Sequence, residues 1–287
     1  MNSPDEVLAL LQYGFVQRAF LIGIAIALLS SLLSVFIVLK NVSLIGDGLA
    51  HTAFGGLAAG YYLGLQPWWT AGSLVILGSM GITKVSRSTK ISSEAAVAVF
   101  LTLGLAAGIL FLGLGRGFGI NLESLLFGSI LLASTSQIFV TAAILAFAIG
   151  ALLFAFPALV YTVFSEKQAQ AAGVRTWIFD YLVSALTGVA VVVSIPITGV
   201  LLIAALLVLP GLAAVQAAKS FRQTIVLSPV FGLTSVIVGL LLSLVLDVAP
   251  GSTIVLTGIA ILAGVLLTNS VESGLARRDA PFPSNAR

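Results

Sequence analysis

Val42–Gly60 reads VSLIGDGLAHTAFGGLAAG, an apolar, glycine-rich run that holds Asp47 and the chain's only histidine, His51. Four residues apart on a helix, the two side chains share a face, with Cβ atoms roughly 5–6 Å apart. A carboxylate and an imidazole so placed can grip one divalent cation. Ionisable groups inside an apolar span are costly, about 2.5–3.5 kcal/mol for an acid at the centre of a membrane helix, and mark a site rather than packing. Gly46, Gly48, Gly55 and Gly56 flank the pair, and Gly56-x-x-x-Gly60 is a spacing at which helix backbones approach closely.

The surrounding chain is of one kind. It has 287 residues, 59% of them hydrophobic and 8% charged, with a mean hydropathy of +1.18. Soluble domains carry about 25% charged residues, so lipid is part of this chain's solvent. The apolar runs are around 20 residues long, the length of a membrane helix and twice that of a barrel strand. The expected fold is therefore all-α, a polytopic transmembrane bundle of about eight or nine spanning helices. Apolar runs lie at 19–39, 42–64, 68–83, 94–115, 137–157, 177–195, 199–218, 224–246 and 252–269. A shorter piece, 120–132 with Glu123, reads as a re-entrant or interfacial element. One transmembrane body over 19–269 lies between an external segment, 1–18, and a cytoplasmic tail, 270–287. The first residues are acidic and lack a signal-peptide pattern, so none is expected to be removed.

Orientation follows from the basic residues. With the N-terminus outside and nine crossings, Lys40, Lys84, Arg87, Lys90, Lys167, Arg175, Lys219, Arg222, Arg277, Arg278 and Arg287 are cytoplasmic. Only Arg18 and Arg116 of the thirteen basic residues fall outside, and the C-terminus is cytoplasmic. The net charge of +3 is thus a topology signal and not a nucleic-acid one. The chain has no cysteine, which leaves oxygen and nitrogen as metal ligands.

The polar loops differ. Lys84–Ser93 reads as a short solvated turn. Phe164–Val174, FSEKQAQAAGV, has helical propensity and ends at Gly173, a natural C-cap. It reads either as a solvated connector or as a short helix offered to a partner. Pro210 must break or bend its span and free a carbonyl, and Pro196 marks the preceding outer turn. Asp180 reads as a capping or interfacial residue, Glu94 as a helix-start acid and Asp247 as a turn residue. No Walker-type phosphate loop occurs, so ATP, if used, binds to another subunit.

Two ligands do not complete a transition-metal shell. Water and backbone carbonyls could supply the rest, or a second copy of the same helix across a two-fold axis. The residues alone also admit a secondary transporter in which Asp47 and His51 carry protons or sodium.

The quoted span resembles the signature helix of the permease family of metal-ion ABC importers. The resemblance covers about Lys40 to Thr268 and includes, in family order, ISSEAAVAVFLTLGLAAGIL, ESLLFGSIL, VFSEKQAQAAGV, GVLLIAALLVLPGLAA and PGSTIVL. It implies a multi-pass protein of a prokaryotic plasma or inner membrane that imports manganese, zinc or iron and binds no permanent cofactor. It also implies a second permease copy, cytoplasmic ATPase subunits and an extracytoplasmic metal-binding protein as partners. Asp47 and His51 match the family's intramembrane metal pair. Phe164, Ser165, Glu166, Ala169, Ala172 and Gly173 match the ATPase-docking segment, with Ala169, Ala171 and Ala172 expected to pack into a groove on the partner. The chain departs from the family at Ser129 and Ser165, where acids are common.

Overall fold

The computed structural model describes residues 9–10, 12–115 and 135–278. Glu123, Ser129 and the expected element at 120–132 lie outside them. The described residues form ten α-helices and no strand: α1 Gly14–Leu39, α2 Ile45–Leu63, α3 Pro67–Ser88, α4 Ser93–Leu114, α5 Thr135–Phe164, α6 Glu166–Ala171, α7 Thr176–Leu206, α8 Leu209–Ala217, α9 Phe221–Leu246 and α10 Pro250–Arg278. Six of the described helices are long and apolar enough to cross a membrane: α1, α4, α9 and the apolar parts of α5, α7 and α10. α2 and α3 fall short of that measure because glycines, hydroxyls and charges dilute them.

Most helix centres fall where the apolar runs put them, though the run 199–218 is divided between α7 and α8, and most ends reach further. α3 continues to Ser88, α5 to Phe164 and α10 to Arg278. Apolar composition stops at the edge of the lipid, whereas the i→i−4 hydrogen-bond ladder continues for as long as propensity allows. The expected solvated turn at Lys84–Ser93 is thus mostly helix, and the turn itself is only Thr89–Ser92. Ser92 caps α4 by accepting from the Ala95 N–H at 3.2 Å, with Glu94 in the first turn. Asp247 closes α9 in the left-handed region, φ 56°.

Two helices are sunk in the protein. α1 buries Ile22, Ile26, Leu29, Leu33 and Ile37 and packs against α5, α7, α8 and α9. α2 packs against α3, α4 and α7, which therefore touches both buried helices. The α2–α4 contact is made backbone to backbone. A Cβ on Gly55 would sit 2.7 Å from the Gly104 carbonyl oxygen, and one on Gly104 would sit 2.5 Å from the His51 carbonyl oxygen.

α7 is broken at Gly199, φ 75° and ψ 168°, so the interruption falls three residues beyond Pro196. The next break precedes Pro210 instead of following from a kink at it. α7 ends at Leu206, Val208 leaves helical geometry, and Pro210 occupies the first turn of α8, where a missing N–H costs nothing. Ser34 of α1 closes the gap. Its hydroxyl donates to the Val208 carbonyl at 3.2 Å and accepts from the Gly211 N–H at 2.9 Å.

Candidate metal centre

α2 begins after Leu44, which gives no side-chain cap. Asp47 therefore stands in the first turn, not in the middle of a span. Unpaired N–H groups and the positive end of the helix dipole favour a carboxylate there, which offsets part of its insertion cost. His51 follows one turn later on the same continuous helix, so the i, i+4 geometry read from the spacing is present.

Burial singles the pair out. From Ile45 to Gly60 every residue is buried except Asp47 and His51, which are half-buried. α3, α4 and α7 enclose the rest of the helix, and the strip left open carries one carboxylate and one imidazole. The open strip could not be read from the sequence. Among the described residues no group of three or more His, Cys, Asp or Glu side chains could hold a metal ion. Two such donors fall short of the four a bound transition metal usually takes.

The glycines around it serve contacts inside the chain. Gly46 faces Leu207, Gly48 faces Val97 and Gly55 faces Gly104. Gly56 lies against Ala71, and Gly60 against Thr70 and Pro67 of α3. The Gly56-x-x-x-Gly60 spacing does mark a close backbone approach, but to α3 and not to a second copy.

The segment Phe164–Val174 does contain a helix, α6. Ser165 is its N-cap, accepting from the Gln168 N–H at 3.3 Å, a role for which serine is well suited. Gly173, at φ 81°, lies just past its end, and the Val174 N–H donates back to the Ala169 carbonyl at 2.9 Å. Ala169 needs correction. It is fully buried within this chain, because it is the position by which a six-residue helix seats on its own bundle. The face left outward carries Lys167, Gln168, Ala171 and Ala172, with Phe164 exposed beside it.

One cluster was not read from the sequence. Asp180 of α7 pairs with Lys40 and with Arg87. Arg87 also reaches Glu166 Oε1 of α6 at 3.1 Å. The same Glu166 oxygen accepts from the Thr176 hydroxyl at 3.0 Å and from Gln170 at 3.2 Å. All of these but Gln170 line a polar cavity of about 470 Å³ whose wall also includes Ile45, the first residue of α2. The available signal was Asp180 itself, an acid one turn into an apolar helix and in need of cations.

A family model described as the ABC 3 transport family matches residues 12–269. The chain is 31% identical over 246 residues to the manganese import system permease protein ScaB of Streptococcus parasanguinis, covering 86% of this chain and 88% of that one. It is 28% identical over 254 residues to the manganese transport system membrane protein MntC of Halalkalibacterium halodurans, covering 88% and 87%. Among solved structures it is similar to PsaBC from Streptococcus pneumoniae in complex with Fab. That match has a TM-score of 0.80 at 29% identity and covers 92% of this chain and 95% of that one.

Proposed function

This chain belongs to the ABC 3 transport family, and we propose that it is the membrane-spanning permease subunit of an ATP-driven importer that moves a divalent transition metal into the cytoplasm, with manganese foremost. The observation that carries the reading is the open strip of α2. An otherwise enclosed helix leaves only Asp47 and His51 unburied, and their oxygen and nitrogen donors suit manganese, iron or zinc. Similarity to permeases named for manganese favours that ion.

The half-shell calls for a second copy. Two carboxylates and two neutral imidazoles about a two-fold axis would balance a divalent charge and raise the ligand number to four. The outward face of α6 is the docking surface for a separate cytoplasmic ATPase, and an external metal-binding protein delivers the ion. In this reading the chain itself hydrolyses nothing. Eight crossings follow when α2 and α3 are counted with the six apolar spans, and nine when the shorter Leu202–Ala217 segment is added, about 20 residues being needed for each full crossing. The N-terminus is then outside and α6 cytoplasmic.

The deciding experiment is uptake by the complex of permease and ATPase in sealed proteoliposomes. Manganese should accumulate with ATP and should continue to do so when proton and sodium gradients are collapsed. Uptake that follows a gradient and ignores ATP would make the chain a secondary transporter instead.

Orientation has its own test. Single cysteines are introduced at Ser88, exposed at the end of α3, and at Gln66, exposed before its start. In intact cells a membrane-impermeant thiol reagent should label the Gln66 site and spare the Ser88 site. The reverse pattern reverses the topology and the direction of transport.

A further inference from the structure

The cluster at the α6 end of the bundle joins four elements that are far apart in the chain. Lys40 follows α1, Arg87 is in the last turn of α3, Glu166 opens α6, and Thr176 and Asp180 lie in the first turns of α7. Arg87 is the hub. One guanidinium nitrogen meets both Glu166 and Asp180, and the other donates to the Thr176 hydroxyl at 3.3 Å. Its side chain is 29% exposed and that of Asp180 23%, so the Arg87–Asp180 pair is not a freely solvated surface contact, whereas Glu166 is 52% exposed.

Two cations, Lys40 and Arg87, face two carboxylates, Asp180 and Glu166. The cluster is neutral as a whole, and no member can leave without exposing an unmatched charge to a half-buried site.

Both ends of this link lead somewhere. On one side Glu166 is in the first turn of α6, whose outward face is the proposed docking surface. On the other, Arg87 belongs to α3, which meets α2 beside His51, where Gly78 lies against Thr52. Lys40 precedes the start of α2 by five residues. A displacement of α6 is therefore connected, through Arg87 on α3 and through Lys40, to the helix that holds Asp47 and His51. We propose that Arg87 and Asp180 are positioning residues that tie α6 to the metal-bearing helices and so couple ATP hydrolysis on the partner to metal movement. The inference rests on the permease reading above.

The test uses the complex in proteoliposomes, with manganese moved and ATP hydrolysed measured in the same sample. Arg87→Gln and Asp180→Asn should each keep ATP hydrolysis while metal moved per ATP falls about tenfold, within the span usual for coupling between sites. Arg87→Lys keeps the charge without the two-pronged geometry and should fall between wild type and Arg87→Gln.

The double variant separates coupling from stability. Arg87→Gln with Asp180→Asn leaves Lys40 and Glu166, a balanced pair, so its melting temperature should return towards wild type. Its metal-per-ATP ratio should stay low, because α6 is no longer tied to α3. A double variant that regains both would show that the cluster serves charge balance alone, and the proposal would fall. Single variants in which hydrolysis and uptake decline in equal proportion would overturn it too. A wild-type complex that moves no metal with ATP overturns the permease reading itself.

Discussion

Asp47→Asn is expected to abolish manganese uptake by an assembled complex. The amide keeps the volume and the polar contacts of the acid but removes its charge, and a two-fold assembly loses that charge twice. One unit interaction across about 4 Å contributes roughly 4 kcal/mol at an effective dielectric near 20, and a divalent ion feels it more strongly. The loss weakens binding about a thousandfold even when a single interaction is counted. Folding should survive, because the first turn of α2 accepts a neutral polar side chain at little cost and the insertion cost of the acid disappears. His51→Ala should also impair uptake, more severely for zinc than for manganese, since zinc favours nitrogen ligands. The two changes should be non-additive because either one breaks the same shell. Radioactive manganese uptake, normalised to complex recovered from the membrane, is the measurement. Normal uptake in both variants would make the pair structural.

Gly104→Ala should be the most damaging one-methyl change in the α2–α4 contact. The added Cβ would sit 2.5 Å from the His51 carbonyl oxygen and 2.6 Å from both the His51 carbonyl carbon and the Thr52 nitrogen. All three are backbone atoms, so no rotamer change relieves the contact and the helices must part. Overpacking of this kind costs about 1–3 kcal/mol, against a helix-propensity gain of about 1 kcal/mol for replacing glycine with alanine. The displaced backbone is that of His51, so uptake should fall along with stability. Gly150→Ala in α5 is the control, as nothing lies within 4 Å of its added Cβ. A thermal melt of the detergent-solubilised protein compares the two. Equal melting temperatures would mean that the α2–α4 contact is looser than described.

Why some features were legible and others were not follows from how far each signal travels along the chain. Asp47 and His51 are four residues apart, and helical periodicity alone brings them together. Apolar run length likewise found most helix centres, but not the break at Val208 inside the run 199–218. Gly56-x-x-x-Gly60 announced a close approach, but spacing within one helix carries no information about which helix answers it, and the answer is α3. Ala169 illustrates a different limit. In six residues there is too little length for an apolar stripe to declare its inward face, so a buried alanine and an exposed one look alike. The Arg87–Asp180 pair spans 93 positions, and Arg87 already had a sufficient explanation as a topology charge. One residue can set membrane orientation and also hold a specific partner.

The bond pair at Ser34 bears on how the molecule can move. A helix broken at Val208 would ordinarily be a flexible joint, with loose carbonyls able to exchange partners. Here one hydroxyl from α1 occupies both sides of the gap, accepting from Gly211 and donating to Val208. Opening that joint in apolar surroundings would strand two backbone groups at once. The break is therefore locked, and α1 should travel with α8 as a single piece. Any rocking of the bundle then has to be taken up elsewhere, along the seams between this piece and the glycine-lined helices α2 and α4.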